Sequence, residues 1–331
     1  MTSAPTITKN PSSPRSFASL ATRYLGVGAA LVILVIFMAV TQENFMTVAN
    51  VMNILRTNSV LFIVAVGLTF VIISGGLDLS VGSMVALGGV FLAGMLSAGI
   101  PALVAVLLTI LACTVLGAVV NGGLIAYGGF NFFVVTLAML ELFRGAALVL
   151  SNGIPKSTIQ HPLIQILGDG SINGFPIPVL IAIVFGVVGF LVLRWTRFGR
   201  SVYAVGGNAT ASRLAGVNVK RIRFTVYAIA ALSAGVAAIL LTGRLTSSQP
   251  VSGALGLELS AAAAVLLGGA SFSGGSGNIG GTAIGVLFLG VVANAITLAG
   301  VPSYWQGIAT GIVLVAAIAL DRIRNRSTRF A

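Results

Sequence analysis

Acid is almost absent from this chain. Six of its 331 residues are Asp or Glu against eighteen Lys or Arg, and charged residues of both signs make up only 7%. A soluble domain carries roughly a quarter, and the mean hydropathy of +1.08 excludes a water-soluble globule. Cysteine occurs once, at Cys113 inside an apolar run, which excludes an intrachain disulfide. The single histidine, His161, stands beside Pro162 with no second His, Cys or acid at metal-ligand spacing, so it reads as a loop residue. The lysines are Lys9, Lys156 and Lys220, and none follows a glycine. The phosphate loop of an ATPase needs Gly-Lys-Ser/Thr, so ATP is not bound by that route. Ser, His and acidic side chains nowhere gather, which leaves an enzyme without a catalytic cluster.

Apolar residues fill the space that charge leaves, at 57% of the chain. Ten hydrophobic segments lie near 24–41, 59–75, 81–99, 101–120, 131–150, 177–194, 224–243, 259–271, 281–299 and 303–320. Most approach the ~20 residues that carry a helix across a bilayer core; 259–271 is short and must borrow neighbours. The expectation is an all-α integral membrane protein of about ten transmembrane helices. Residues 1–22, rich in Ser, Thr and Pro and followed by no small-x-small cleavage site, are expected to form a disordered cytoplasmic tail. Residues 23–325 would make one transmembrane domain, and 326–331 a second cytoplasmic tail.

Basic residues set the orientation. With the N-terminus inside, ten crossings return the C-terminus to the same side. Lys9, Arg15 and Arg23, the cluster Arg194 to Arg223, and Arg322, Arg324, Arg326 and Arg329 then all fall in the cytoplasm. That is fourteen of the eighteen basic residues, and positive-inside bias agrees with the parity of the count. The net charge of +12 is thus explained by topology, with no basic face for nucleic acid.

One phrase occurs twice. GLDLSVGSMVALGG at 76–89 and GLELSAAAAVLLGG at 256–269 share eight of fourteen residues and exchange Asp78 for Glu258. An odd number of crossings separates them, so they face opposite sides, as in transporters built from inverted-topology repeats. The halves would cover about 50–175 and 224–321. A carboxylate at membrane depth costs ~2.5–3.5 kcal/mol on insertion scales and needs donors or water. Two readings follow. Ser80 and Ser260 cap broken helices whose first N–H groups Asp78 and Glu258 complement, or the acids form a proton or cation site. The first is preferred, because one carboxylate per half is thin support for ion coupling.

Other motifs are less chemical. GSGNIG at 275–280 matches G-x-G-x-x-G but joins two membrane segments, so it reads as a tight turn. Glu141 and Arg144, three apart on one helix, share a face and can neutralise each other. Between the sixth and seventh segments, Asn208 suits a helix N-cap and Gly216 a C-terminal stop. The two turns between them present Ala211, Leu214 and Ala215 on one small apolar face, with Arg213 beside it. A capped helix too short to bury that face suggests a docking element for a soluble partner.

Three motifs in order, GGLDLSVGSMVALGG, FGRSVYAVGGNATASRLAGV and LLGGASFSGGSGNIGGTAIGVL…GVPSYWQG, resemble the permease subunit of bacterial ribose-type ABC sugar importers over about residues 45–325. The resemblance implies an all-helical inner-membrane subunit that imports a pentose, hexose or related polyol. It implies no cofactor in this chain, with ATP and Mg on a separate cytoplasmic ATPase. A periplasmic sugar-binding protein and a second permease copy would complete the machine, with lipid around it. Asn208, Arg213, Leu214 and Gly216 would then form the coupling helix. Two places depart from the pattern: GGFNFFVVTL at 128–137, where relatives commonly carry a proline, and Glu141, where a small or neutral residue is usual. With Asp78, Ser80, Glu258 and Ser260, this makes Asn131, Phe133 and Glu141 candidates for the pathway or for helix breaks. Permeases for nucleosides or branched-chain amino acids, an ion-coupled secondary transporter and an inert membrane anchor are the alternatives.

Overall fold

The computed structural model describes residues 17–327 apart from 159, 252, 253 and 303. Its helices are α1 (Phe17–Thr41), α2 (Val48–Ile73), α3 (Val81–Ser97), α4 (Ala102–Leu116), a π-helical turn (Gly117–Gly122), α5 (Gly123–Ala126), α6 (Phe132–Ser151) and α7 (Pro162–Asp169). The chain continues through a hairpin, β1 (Ser171–Ile172) and β2 (Phe175–Pro176), to α8 (Ile177–Trp195), α9 (Arg197–Gly207), α10 (Ala209–Leu214) and α11 (Val219–Leu245). It ends with α12 (Leu257–Leu267), α13 (Ile279–Leu298) and α14 (Trp305–Ser327).

Each of the ten expected segments meets an apolar helix. Six are long and apolar enough to cross a membrane, and four shorter ones lie at Val27–Thr41, Val81–Ser97, Leu257–Leu267 and Trp305–Ala319. The boundaries move for local reasons. Helix α2 starts well before residue 59 because the Thr47 side chain accepts from Asn50 N–H and starts the helix there. Polar Asn53, Arg56 and Thr57 interrupt hydropathy without breaking the helix. Asn218 likewise starts α11 ahead of its basic turn, its side chain accepting from Arg221 N–H at 3.0 Å. Helix α12 stops at Leu267, earlier than expected, because Gly269 takes a left-handed φ of 93°. The tail expected over 1–22 is corrected in its last part: helix α1 begins at Phe17, in the run FASLAT, so 17–22 are helical, and residues 1–16 lie outside the described residues. Residues 328–331 of the second tail do too; 326 and 327 belong to α14.

Helix α11 is the axle of the bundle, packing against α2, α3, α4, α7 and the π-turn. Its core face is small: Ala230, Ala231, Ala234, Ala237 and Ala238 are all buried. Neighbours approach through glycine. A β-carbon at Gly67 of α2 would overlap Ser233, and one at Gly88 of α3 would sit 2.9 Å from Ala238 Cβ. Close backbone approach of this kind is how apolar helices gain dispersion energy where lipid offers no hydrophobic drive.

The bundle has two distinct ends. One carries α9, α10, the last turn of α2, the first turns of α11 and α13, and the loop 268–278; this is the basic end. At the opposite end, segments 152–161 and 246–250 zip together. Thr158 N–H donates to Thr246 O at 2.8 Å, Ser248 N–H donates to Lys156 O at 2.9 Å, and Ser157 pairs with Ser247. Arg56 and Asp169 form an ion pair of 2.8 Å there. The Asn173–Gly174 turn of the hairpin, with φ of 50° and 82°, supplies the positive dihedrals that a tight two-residue loop requires.

Candidate functional site

The two copies of the repeated phrase are entered from opposite ends of the bundle. After α2 ends, residues 74–80 run without helix into the core, where Leu77 O accepts from Tyr227 Oη of α11 at 3.2 Å. Helix α3 then starts at Val81. The second approach comes from the opposite end, where Thr246 O accepts from Thr158 N–H, and Gly256, with φ of 76°, turns the chain directly into α12. The two helices meet start to start: a β-carbon at Gly82 would overlap the Glu258 carboxylate and lie 2.9 Å from Ala254 O.

Asp78 is 2% exposed. Its Oδ1 accepts from Ser80 N–H at 2.9 Å and from Ser80 Oγ at 2.6 Å. Asn121 Nδ2 donates to Oδ2 at 3.2 Å and to Ser80 Oγ at 2.7 Å. The aspartate thus complements the chain entering α3, as the spacing implied. Ser80 occupies the cap position, but its hydroxyl serves Asp78 and not a helix N–H. The second phrase behaves differently, which corrects the expectation for Ser260. Gly256 is the N-cap, α12 begins one residue later, and both Glu258 and Ser260 lie inside the helix. The left-handed glycine removes the extended stretch that a capping serine would need. Asp78 and Glu258 are therefore equivalent in sequence but not in local geometry.

Asn121 is the partner of Asp78 and Ser80 that sequence reading missed. It sits on the π-turn between α4 and α5, and its Oδ1 is buried without a partner. Wide turns of this kind re-aim side chains and occur often at functional sites. The signal was an amide in the otherwise apolar run GAVVNGG.

The segment from 197 to 216 forms two helices. Thr196 caps α9 and Asn208 caps α10, where its Oδ1 accepts from Ala211 N–H at 2.9 Å. Gly216, at φ 82°, ends α10, and Val217 N–H reaches back to Ser212 O at 3.0 Å. Ser212 points into the protein, whereas Ala211, Arg213 and Ala215 are exposed and Leu214 is 86% exposed. The small apolar face therefore looks outward at the basic end, with none of the described residues covering it.

Helix α9 ties that surface to the bundle by a clasp made mostly of backbone. Gly275 N–H donates to Ile73 O at 2.8 Å, and a β-carbon on Gly206 would overlap both groups. Tyr203 Oη donates to Gly277 O at 2.7 Å, and Phe198 stacks on Phe70 with ring centroids 6.3 Å apart. The clasp joins α9 to the start of segment 74–80 and to the loop between α12 and α13. GSGNIG is part of it, and Asn278 caps α13 by accepting from Gly281 N–H at 2.6 Å.

The remaining candidates lie on α6, whose Arg144 lines a small pocket with Gly82, Ser83, Ala254 and Leu255 where α3 and α12 meet. Asn131 caps α6, its Oδ1 accepting from Phe133 N–H at 2.8 Å, and Phe133 is exposed. Glu141 and Arg144 pair at 3.4 Å on an exposed stretch of the same helix. Among the described residues, no group of His, Cys, Asp or Glu is placed to hold a metal ion.

A family model described as the permease component of a branched-chain amino acid transport system matches residues 50–318. The ribose import permease protein of Escherichia coli K12 is 42% identical over 295 residues, covering 88% of this chain and 91% of that protein. The ribose import permease protein of Haemophilus influenzae is 39% identical over the same shares of the two chains. The L-arabinose ABC transporter permease protein of Azospirillum brasilense is 38% identical over 305 residues, or 91% and 89% of the two chains. No solved structure matches the chain.

Proposed function

Because the chain belongs to the permease-component family whose model matches residues 50–318, we propose that it is the membrane subunit of an ATP-driven importer for a monosaccharide or related polyol. The observation that carries the sugar class is identity of 39–42% with ribose import permeases across 88% of this chain. The family description names branched-chain amino acids, which makes amino-acid import the second reading. Uptake by cells producing the complete system separates these: labelled ribose, arabinose or allose should enter and leucine should not. Entry should collapse on ATP depletion and survive an uncoupler. Leucine uptake without sugar uptake would overturn the sugar class.

In this reading the basic end faces the cytoplasm, as positive-inside bias requires. The exposed face of α10 seats the ATPase, a binding protein delivers the sugar at the opposite end, and a second permease copy stands alongside. Segment 74–80 with α3 and the Gly256 turn with α12 are the two inverted elements, entered from opposite sides and meeting at Gly82 and Glu258. The clasp then transmits motion from α9 to both. Packed interfaces of this kind switch between discrete arrangements instead of deforming continuously. Tyr203→Phe, which removes the bond to Gly277 O, should lower sugar moved per ATP hydrolysed while leaving the complex intact; an unchanged ratio would remove the tyrosine from the route.

Orientation is checked with single cysteines in a Cys113→Ala background. Ser157 is exposed and Ser247 half-buried at one end; Thr210 on α10 is exposed at the other. An impermeant thiol reagent outside intact cells should label Ser157→Cys and Ser247→Cys but not Thr210→Cys. Labelling of Thr210→Cys would invert the topology.

A further inference from the structure

A cavity of about 410 Å³ opens between α2, α12, α13 and α14. That volume lies within the ~300–1,000 Å³ of small-molecule sites. It belongs to the half of the bundle away from the basic end, because Asn58 is in the first part of α2 and Gln306 begins α14. It also reaches the start of α12, with Gly256, Leu259 and Ser260 in its wall.

Its chemistry is neutral and rich in acceptors. None of the lining residues is ionisable, and the polar ones are Asn58, Ser260, Gln306 and Thr310. Asn58 Nδ2 is spent on Ile54 O at 2.7 Å, and the Thr310 hydroxyl on Gln306 O at 2.9 Å. Gln306 Nε2 donates to Thr297 Oγ1 at 3.3 Å. Each amide thus spends one of its two N–H donors within the protein and the Thr310 hydroxyl its single one, leaving the amide and hydroxyl oxygens to accept and one N–H on each amide to donate. The Ser260 hydroxyl makes no hydrogen bond within the chain among the described residues. Leucines, including Leu61, Leu259 and Leu289, form the apolar walls. A zwitterion placed here would find no counter-charge for either end, whereas a neutral polyol brings hydroxyl donors and C–H faces that suit both kinds of wall.

We infer that this cavity is an outward-side receiving site for a neutral polyhydroxylated solute, with Asn58, Ser260, Gln306 and Thr310 as its hydrogen-bonding groups. The inference rests on the sugar-import reading and adds where the solute first sits. It also gives Ser260 a role in place of the helix cap it does not make.

Two glycines of α14 make the test clean. Gly307 and Gly311 line the cavity, and a β-carbon at either meets no atom within 4 Å, so a larger side chain can be accommodated without displacing the fold. The complete complex with its ATPase and binding protein, reconstituted in liposomes, is assayed with labelled D-ribose, L-arabinose and D-allose, and with L-leucine. Gly311→Phe should lower sugar uptake at least about tenfold, and the doubly stripped Ser260→Ala, Thr310→Val variant should lower it several-fold. Both should keep basal ATP hydrolysis and wild-type melting. As a second measurement, Thr310→Cys in a Cys113→Ala background should react with a small neutral thiol reagent and be protected by the transported sugar but not by leucine. Wild-type uptake in Gly311→Phe, or reaction of Thr310→Cys that the transported sugar does not slow, would overturn the cavity and leave the import reading standing. A wild-type complex that moves none of the three sugars would overturn both.

Discussion

Leu214→Asp should strip the ATPase from the purified complex. Leu214 is the largest apolar group on the outward face of α10, 86% exposed with no neighbour among the described residues to cover it. Docking would bury it in a pocket of the ATPase, and fully burying a leucine side chain contributes roughly 1.5–3 kcal/mol. A carboxylate there loses that contribution and must also be desolvated, so the penalty exceeds the hydrophobic term alone. Association should weaken by at least about a hundredfold, since each 1.4 kcal/mol is about tenfold in affinity. Membrane insertion and melting of the isolated chain should stay as in wild type, because the side chain is almost fully exposed among the described residues. Arg213→Ala, beside it, should have a smaller effect that fades as salt is raised. Recovery of the ATPase at full yield with Leu214→Asp would place docking elsewhere.

Asp78→Leu should destabilise the protein and abolish uptake together. The leucine would leave Ser80 N–H, Ser80 Oγ and Asn121 Nδ2 without the acceptor they now share. Each unsatisfied buried group costs ~1–3 kcal/mol. Three of them amount to a large part of a stability of ~5–15 kcal/mol. Asp78→Asn is different. Its oxygen can keep both Ser80 donors, and its new amide can face Asn121 Oδ1, which is buried without a partner, if the Asn121 amide turns over. Asp78→Asn should therefore melt close to wild type and keep most uptake. Glu258→Gln should do the same, since Glu258 makes no hydrogen bond to another side chain among the described residues. Proton or cation coupling predicts a folded but inactive Asp78→Asn. Uptake and detergent melting measured on the same variants decide between the two.

How legible this was depended on the range of the interaction. The ten apolar helices could be read from composition, and α10 from Asn208 and Gly216, because caps are set within a few residues. The bond from Ser80 N–H to Asp78 was likewise local, because donor and acceptor lie two residues apart, whereas the burial of Asp78 and the turn of the Ser80 hydroxyl onto it were not read. Nor was Asn121, since its contact with Asp78 spans 43 residues and requires a π-turn that hydropathy does not encode. The clasp is less visible still. It is made by backbone groups of Ile73, Gly206 and Gly275, which carry no side-chain signature and meet only when three separate segments pack. Ser260 was misread for a related reason. The two repeat phrases agree in side chains, but Gly256 adopts a left-handed φ that starts its helix early, and identical words cannot reveal that.

The most direct test of the account is a drop-out reconstitution. The chain, its ATPase and its binding protein are placed in liposomes, and labelled sugar uptake is followed with each component, or ATP, withheld in turn. The account predicts uptake only when all three proteins and ATP on the ATPase side are present, with no response to a proton or sodium gradient. Sugar accumulation by the chain alone, driven by an ion gradient and indifferent to ATP, would contradict it.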